Sequence, residues 1–145
     1  MSGPWYAAGV RFACTAGGDC CHNHGEYDRV YLTRAEERAV ALHLELSLRE
    51  LRRRYTTEED GYRIARSRNG ACAFLDGCRC RIYPVRPVPC RTWPFWPDTM
   101  EGDAFAREVA SFCKGVGRGR LHSHEEIQRA MDEKARHDEA LERGE

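Results

Sequence analysis

Apolar and polar positions alternate over residues 27–32 (YDRVYL), the two-residue period of a half-buried strand. Thr33 then stands as an N-cap with Glu36 three residues on, a capping-box pair that predicts a helix over about 34–44. The apolar side of that helix reads as Ala35, Ala39 and Leu42. Ser47 and Glu50 repeat the pairing and open a shorter helix through Tyr55. Alternation returns over 61–67 (GYRIARS), and Asn69-Gly70 is a hairpin signal. The return strand is predicted over 71–75 and carries Cys72, with Asp76-Gly77 as the next turn. Five prolines between positions 84 and 97 predict little regular structure there.

Residues 103–112 fit a strand or a helix equally, and Gly115, Gly117 and Gly119 predict a flexible or tightly turned connection. Ser123 and Glu126 form a third capping pair, opening a helix over about 124–142. Its apolar stripe is thin (Ile127, Met131, Ala135, Leu141), as expected of a loosely packed or frayed helix. The elements together predict a small α+β domain of short strands and hairpins, a few helices and irregular proline-rich loops. Its body is placed at 1–122 and a C-terminal helical extension at 123–145, with no internal repeat and no second domain.

The balance of 41% hydrophobic and 32% charged residues is that of a soluble globular chain. A chain of 145 residues can bury only a modest core, so metal or sulfur cross-links would add usefully to stability. Lysines and arginines equal aspartates and glutamates in number, which argues against a nucleic-acid binder. The stretch 79–91 is an exception, holding Arg79, Arg81, Arg86 and Arg91 without an acid. The opening residues show no basic and apolar signal segment, and no run approaches the ~20 apolar residues of a membrane span. The expected compartment is the cytoplasm, with no membrane partner.

Composition's largest contribution is eight cysteines: Cys14, Cys20, Cys21, Cys72, Cys78, Cys80, Cys90 and Cys113. Disulfides or metal must account for them, and a reducing cytoplasm favours metal. Cys20 and Cys21 are adjacent, and a bond between them would be strained. Zinc and iron sites need several soft thiolates converging on one point. Most of the cysteines stand beside turn-forming residues. Cys20-Cys21 follows Gly17-Gly18-Asp19, Cys78 and Cys80 follow Asp76-Gly77, Cys90 lies between Pro89 and Arg91, and Cys113 precedes Gly115. The spacing is not that of a zinc ribbon with two C-x2-C pairs. The four arginines could offset the negative charge of a thiolate site.

The motifs run in a definite order. Cys14…Cys20-Cys21 is followed by Tyr31-Leu32-Thr33…Glu36 and Gly70-Ala71-Cys72-Ala73-Phe74-Leu75. Then come Cys80-Arg81-Ile82-Tyr83, Arg86-Pro87, Cys90-Arg91, Pro94-Phe95 and Cys113-Lys114-Gly115-Val116-Gly117. In this set, spanning about 12–119, the chain resembles the YkgJ-type cysteine-cluster family of zinc- or iron-chelating domains. The resemblance implies metal binding through Cys14, Cys20, Cys21, Cys72, Cys80, Cys90 and Cys113. It leaves open one tetrahedral zinc site with spare thiols, two metal sites, or a 4Fe–4S cluster. Related clusters in flagellin lysine methylases make a redox or methyltransferase-accessory role the alternative. Gly17 stands where the family has a further cysteine, and Cys78 is a cysteine the family pattern does not require. Two readings of Cys78 stand side by side: a ligand that compensates for Gly17, or a spare buried or exposed thiol.

Other candidates carry less. His22 and His24 flank the first cluster and read as loop residues, His122 and His124 as surface residues, and His43 and His137 as helix positions. Trp93, Phe95 and Trp96 read as core rather than as a ligand patch. No phosphate loop, carboxylate dyad, nucleotide fingerprint or cysteine–base pair is visible, so no catalytic residue is assigned and an enzyme is not the expectation.

Overall fold

Capping fixes where the long helices begin. In the computed structural model, which describes residues 4–13, 30–68, 71–76, 79–110 and 116–145, Thr33 caps helix α1 (Arg34–His43). Its Oγ1 accepts the Glu36 N–H at 3.1 Å, and Glu36 Oε1 accepts the Thr33 N–H at 2.9 Å. Ser47 caps α2 (Leu48–Arg54) through the Glu50 N–H alone, because the Glu50 carboxylate turns to Arg53 at 2.7 Å. Ser123 and Glu126 close a full box on α5 (His124–Glu142). The Glu126 carboxyl is held down to about 2 by Arg120 first and the Ser123 N–H next.

The strands form small antiparallel groups. β1 (Val10–Phe12) pairs with β9 (Val116–His122). β2 (Tyr31–Leu32), β3 (Thr56–Glu59) and β4 (Tyr62–Ala65) make a three-stranded sheet in the order β2-β4-β3. β5 (Ser67–Arg68) pairs with β6 (Ala71–Cys72), and β7 (Leu75–Asp76) with β8 (Arg79–Cys80), across positions 69–70 and 77–78 where turns are expected. The architecture is therefore α+β. No helix among the described residues is long and apolar enough to cross a membrane.

Four sequence expectations need correction. First, α1 does not bury Ala35, Ala39 and Leu42; all three are exposed, Leu42 at 81%. The buried face is Glu37, Val40 and Ala41, with Leu44 beside it, so the inward stripe runs through an acid. Second, the predicted strand over 71–75 breaks at Ala73 and Phe74. Both are buried, and two consecutive inward residues cannot fit the alternation of a half-buried strand.

Third, the proline-rich stretch contains α3 (Val88–Thr92) and α4 (Pro97–Met100), preceded by a 3-10 turn over Tyr83–Val85. Proline in a first turn loses no intrahelical hydrogen bond and presets the backbone. Fourth, the glycine-rich connection is strand β9. Gly117 and Gly119 take positive φ (82° and 75°), and the register with β1 slips between Arg11 and Phe12. A Cβ at Gly119 would run into Ala13, so only glycine lets the two strands approach. Residues 105–110, ambiguous in sequence, form a π-helical turn (Phe105–Ala110).

Two apolar clusters organise these parts. The first gathers Tyr6, Trp93, Phe95, Trp96, Met100, Phe105, Val109 and Ile127. Trp93, Phe95 and Trp96 are thus core, as their composition predicts. The second joins α1 and α2 to the hairpins through Val40, Ala41, Leu51, Tyr55, Ala73, Phe74 and Ile82, with Tyr55 stacked on Phe74 at 5.1 Å. α5 is neither loose nor frayed in its packing: Ile127 is fully buried in the first cluster and His137 is buried nearly three turns later.

His137 fastens that helix. Its Nε2 donates to Glu36 Oε1 at 2.6 Å, and Nδ1 lies 3.5 Å from Asp138 Oδ1. Burial pushes the imidazole pKa down, but Asp138 and Glu36 outweigh it and hold the group above the ordinary histidine value. Burial likewise opposes ionisation of Glu36, yet His137, the Thr33 N–H and the Val88 N–H leave its pKa lowered. A raised histidine pKa gives stability that is complete below about 6.5, the unfolded value, and is lost as pH rises through the folded value. The lowered Glu36 pKa gives stability that is lost as pH falls below the ordinary carboxylate range.

His137→Gln is accordingly expected to lower stability by about 1–3 kcal/mol near pH 6, the range for a charge-assisted hydrogen bond. The deficit should shrink as pH rises beyond the histidine range. Melting temperatures of both proteins across pH would check this, and a deficit constant from pH 5 to 9 would contradict the pairing.

Candidate metal centre

Two consecutive hairpins position Cys72 and Cys80. Cys72 lies on β6 opposite Ser67, and Cys80 lies on β8 opposite Leu75. The link between the hairpins is fastened by the Ala73 N–H to the Arg66 carbonyl at 2.8 Å and the Arg81 N–H to the Phe74 carbonyl at 2.9 Å. Phe74, 1% exposed, anchors that link in the second cluster. Cys80 and Ile82 are two residues apart, and Ile82 is buried in the same cluster. Both cysteines are half-buried and pack against it, so the fold brings Cys72 and Cys80 to one core region.

Cys90 stands apart from them in sequence, on α3. It is half-buried, and its N–H donates to the Pro87 carbonyl at 3.0 Å. The helix around it is pinned. Glu36 Oε2 accepts the Val88 N–H at 2.6 Å, and Trp96 Nε1 donates to the Pro89 carbonyl at 3.0 Å. Thr92 Oγ1 donates to the Val88 carbonyl at 2.7 Å. A side chain 52 residues earlier thus fixes the start of the helix that carries Cys90.

The arginines of this stretch have definite partners. Arg91 Nη1 contacts both Glu133 oxygens at 2.9 and 2.7 Å. Arg81 lies 3.7 Å from Asp76 Oδ2 and 3.4 Å from the Tyr55 hydroxyl. Arg86 sits over the Tyr83 ring, 3.8 Å from its centroid. Carboxylates therefore already face Arg91 and Arg81 without any thiolate.

Cys14, Cys20, Cys21, Cys78 and Cys113 lie outside the described residues, as do Gly17, His22 and His24. Among the described residues, no group of three or more histidines, cysteines or acids is arranged to hold a metal. The donors present fit zinc or iron in kind, being soft sulfur ligands on three elements. His122 is not a plain surface residue. It ends β9, half-buried, with its ring 5.2 Å from Phe95.

Sequence reasoning missed the most connected polar residues. Glu36 serves the α1 cap, α3 and α5 together, and Glu37 is 0% exposed among arginines. The sign available for Glu37 was the spacing 37, 40, 41, 44, which places an acid on the stripe that Val40 and Leu44 define.

The family model CxxCxxCC, described as "Putative zinc- or iron-chelating domain", matches residues 13–114. An uncharacterized protein of Methanocaldococcus jannaschii, MJ0661, is 31% identical over 117 residues, covering 77% of this chain and 61% of that protein. The chain therefore spans less than two thirds of that relative. No solved structure matches.

Proposed function

Because the chain belongs to the CxxCxxCC family of zinc- or iron-chelating domains, matched over most of its length, we propose that it binds zinc or iron through cysteine thiolates. The observation that carries this reading is the placement of Cys72 and Cys80 on one core cluster by consecutive hairpins. Cys90 is added on a helix held by Glu36 and by Trp96. Thiols half-buried against apolar side chains are sheltered from water, a setting that favours a tightly held soft metal.

The proposed ligand set is drawn from Cys14, Cys20, Cys21, Cys72, Cys80, Cys90 and Cys113, with Cys78 standing in for the cysteine absent at Gly17. A bound zinc would supply a redox-inert cross-link, and an iron–sulfur cluster a one-electron couple. The chain's own contribution is to gather thiolates from separate segments and hold their backbones still.

Anaerobic purification followed by elemental analysis and a visible spectrum tests the proposal. Zinc in a colourless protein, or iron in a coloured one, supports it. Equivalent acid-labile sulfide in a brown protein selects the cluster. A folded protein with neither metal overturns it. Cys78→Ser should lower metal content, and unchanged content and melting temperature would remove Cys78 from the ligand set.

A further inference from the structure

A cavity of about 640 Å³ lies between α5 and the segment from Tyr83 to Phe95. Its size is that of a small-molecule site. Phe12, Trp93, Phe95 and His122 supply an aromatic floor, with Phe12 edge-on to Phe95 at 6.0 Å. Trp93 and Phe95 are buried in the first core cluster, so the floor is rigid.

The walls are charged, and the charges do not balance locally. Three acids line the cavity: Glu126, Asp132 and Glu133. Glu133 is held by Arg91, and Glu126 by Arg120 at 2.7 Å from outside the cavity. Asp132 accepts the Gln128 side-chain amide at 3.0 Å. Arg86, Arg129 and Arg136 also line the space, and no carboxylate among the described residues forms an ion pair with any of them. Arg129 and Arg136 are seven residues apart on α5, two turns along one face and about 10 Å apart. Arg86 is held in place by the Tyr83 ring beneath it and by its Nε–H donating to the Tyr83 carbonyl at 3.0 Å.

We propose that this cavity binds a small organic anion, whose flat apolar body lies on the aromatic floor and whose carboxylate or phosphate meets Arg86, Arg129 and Arg136. Guanidinium forks match both oxyanions in geometry. The aromatic floor explains why a ring-bearing anion should bind better than a bare one. Among the described residues, no cysteine lines the cavity.

Isothermal titration of the protein as purified tests the proposal with four probes: phenyl phosphate, benzoate, inorganic phosphate and benzyl alcohol. Phenyl phosphate or benzoate should bind at least about tenfold more tightly than inorganic phosphate and benzyl alcohol, and which of the two wins identifies the oxyanion. The double variant R129A/R136A changes two exposed positions on α5, so folding is not at risk. It should bind the preferred probe at least about tenfold more weakly, the loss of one charge-assisted hydrogen bond or more. Equal affinity for all four probes, no heat at about 10 mM ligand, a weak-binding limit, or unchanged binding by the double variant would overturn the proposal. Because Arg129 and Arg136 are not proposed metal ligands, loss of binding in that variant cannot come from a changed metal site.

Discussion

Glu37→Ala is expected to cost about 3–5 kcal/mol, the range seen when one partner of a buried ion pair is removed. Glu37 is 0% exposed and its two oxygens are fully engaged. Oε1 accepts Arg52 Nη2 at 3.0 Å and Nε at 3.3 Å. Oε2 accepts the Thr56 hydroxyl at 2.9 Å and Arg63 Nε at 3.1 Å. Burial alone would favour the neutral acid, but Arg52, Thr56 and Arg63 outweigh it and hold the pKa below the ordinary carboxylate value.

Alanine would leave Arg63, whose side chain is 17% exposed, with only the Thr56 hydroxyl among these partners. A buried charge without its counter-charge carries most of the penalty. Against a total stability of about 5–15 kcal/mol, the variant should populate unfolded chains measurably. Glu37→Gln keeps the volume and should cost less, about 1–3 kcal/mol. Denaturant titration of the three proteins measures this. A loss below about 1 kcal/mol for alanine would show that the network is not a net source of stability. As pH falls below the carboxylate range, wild type should lose the advantage over Glu37→Gln, because a lowered acid pKa stabilises only the ionised form.

Removing metal should have an effect at least as large. Ligand thiolates do not converge in an unfolded chain, so metal-binding free energy becomes folding free energy. If chelation withdraws even about 3 kcal/mol, the melting temperature of a domain this size falls by about 10 °C. The loss should begin where the cysteines meet the core. The Ala73 and Arg81 amides, now bonded across the link between the Cys72 and Cys80 hairpins, should lose hydrogen-exchange protection before the α5 amides do. A melting curve indifferent to a strong chelator and to reductant would defeat the coupling. Sensitivity to reductant alone would point to disulfides instead.

Local signals were legible wherever a short motif carries its own physics. Thr33/Glu36 and Ser123/Glu126 marked helix starts because each side chain satisfies a backbone N–H of the same turn. Of the predicted turn Asp76-Gly77, Asp76 ends β7 and Gly77 lies outside the described residues. The errors came from partners far away in sequence. The inward stripe of α1 passes through Glu37 only because Arg52, Arg63 and Thr56 neutralise and bond it. Strand β3 was missed although Asp60-Gly61 follows it; both residues take positive φ, the backbone of a tight hairpin turn. β9 was hidden because Gly119 serves the close approach of the β1 strand end at Ala13, not flexibility.

The candidate site was legible as a list of cysteines and an ordered set of motifs. What the list did not reveal is the scaffold that supports them. Phe74 anchors the link between two hairpins, and Glu36 fixes the helix of Cys90. Such support depends on tertiary packing, which spacing along the chain does not encode.

Glu36 also bears on how the molecule comes apart. One carboxylate bonds the backbone of Thr33, the backbone of Val88 and the ring of His137, partners up to 101 residues away. Substitutions at Thr33 and His137 therefore both act on Glu36, the first at its backbone N–H and the second at its carboxylate, and their energies should not add. Opening of the C-terminal helix and loosening of the Cys90 helix become a single cooperative event rather than two local ones. The two apolar clusters, distinct in their packing, are thereby joined by a polar rivet between α1, α3 and α5.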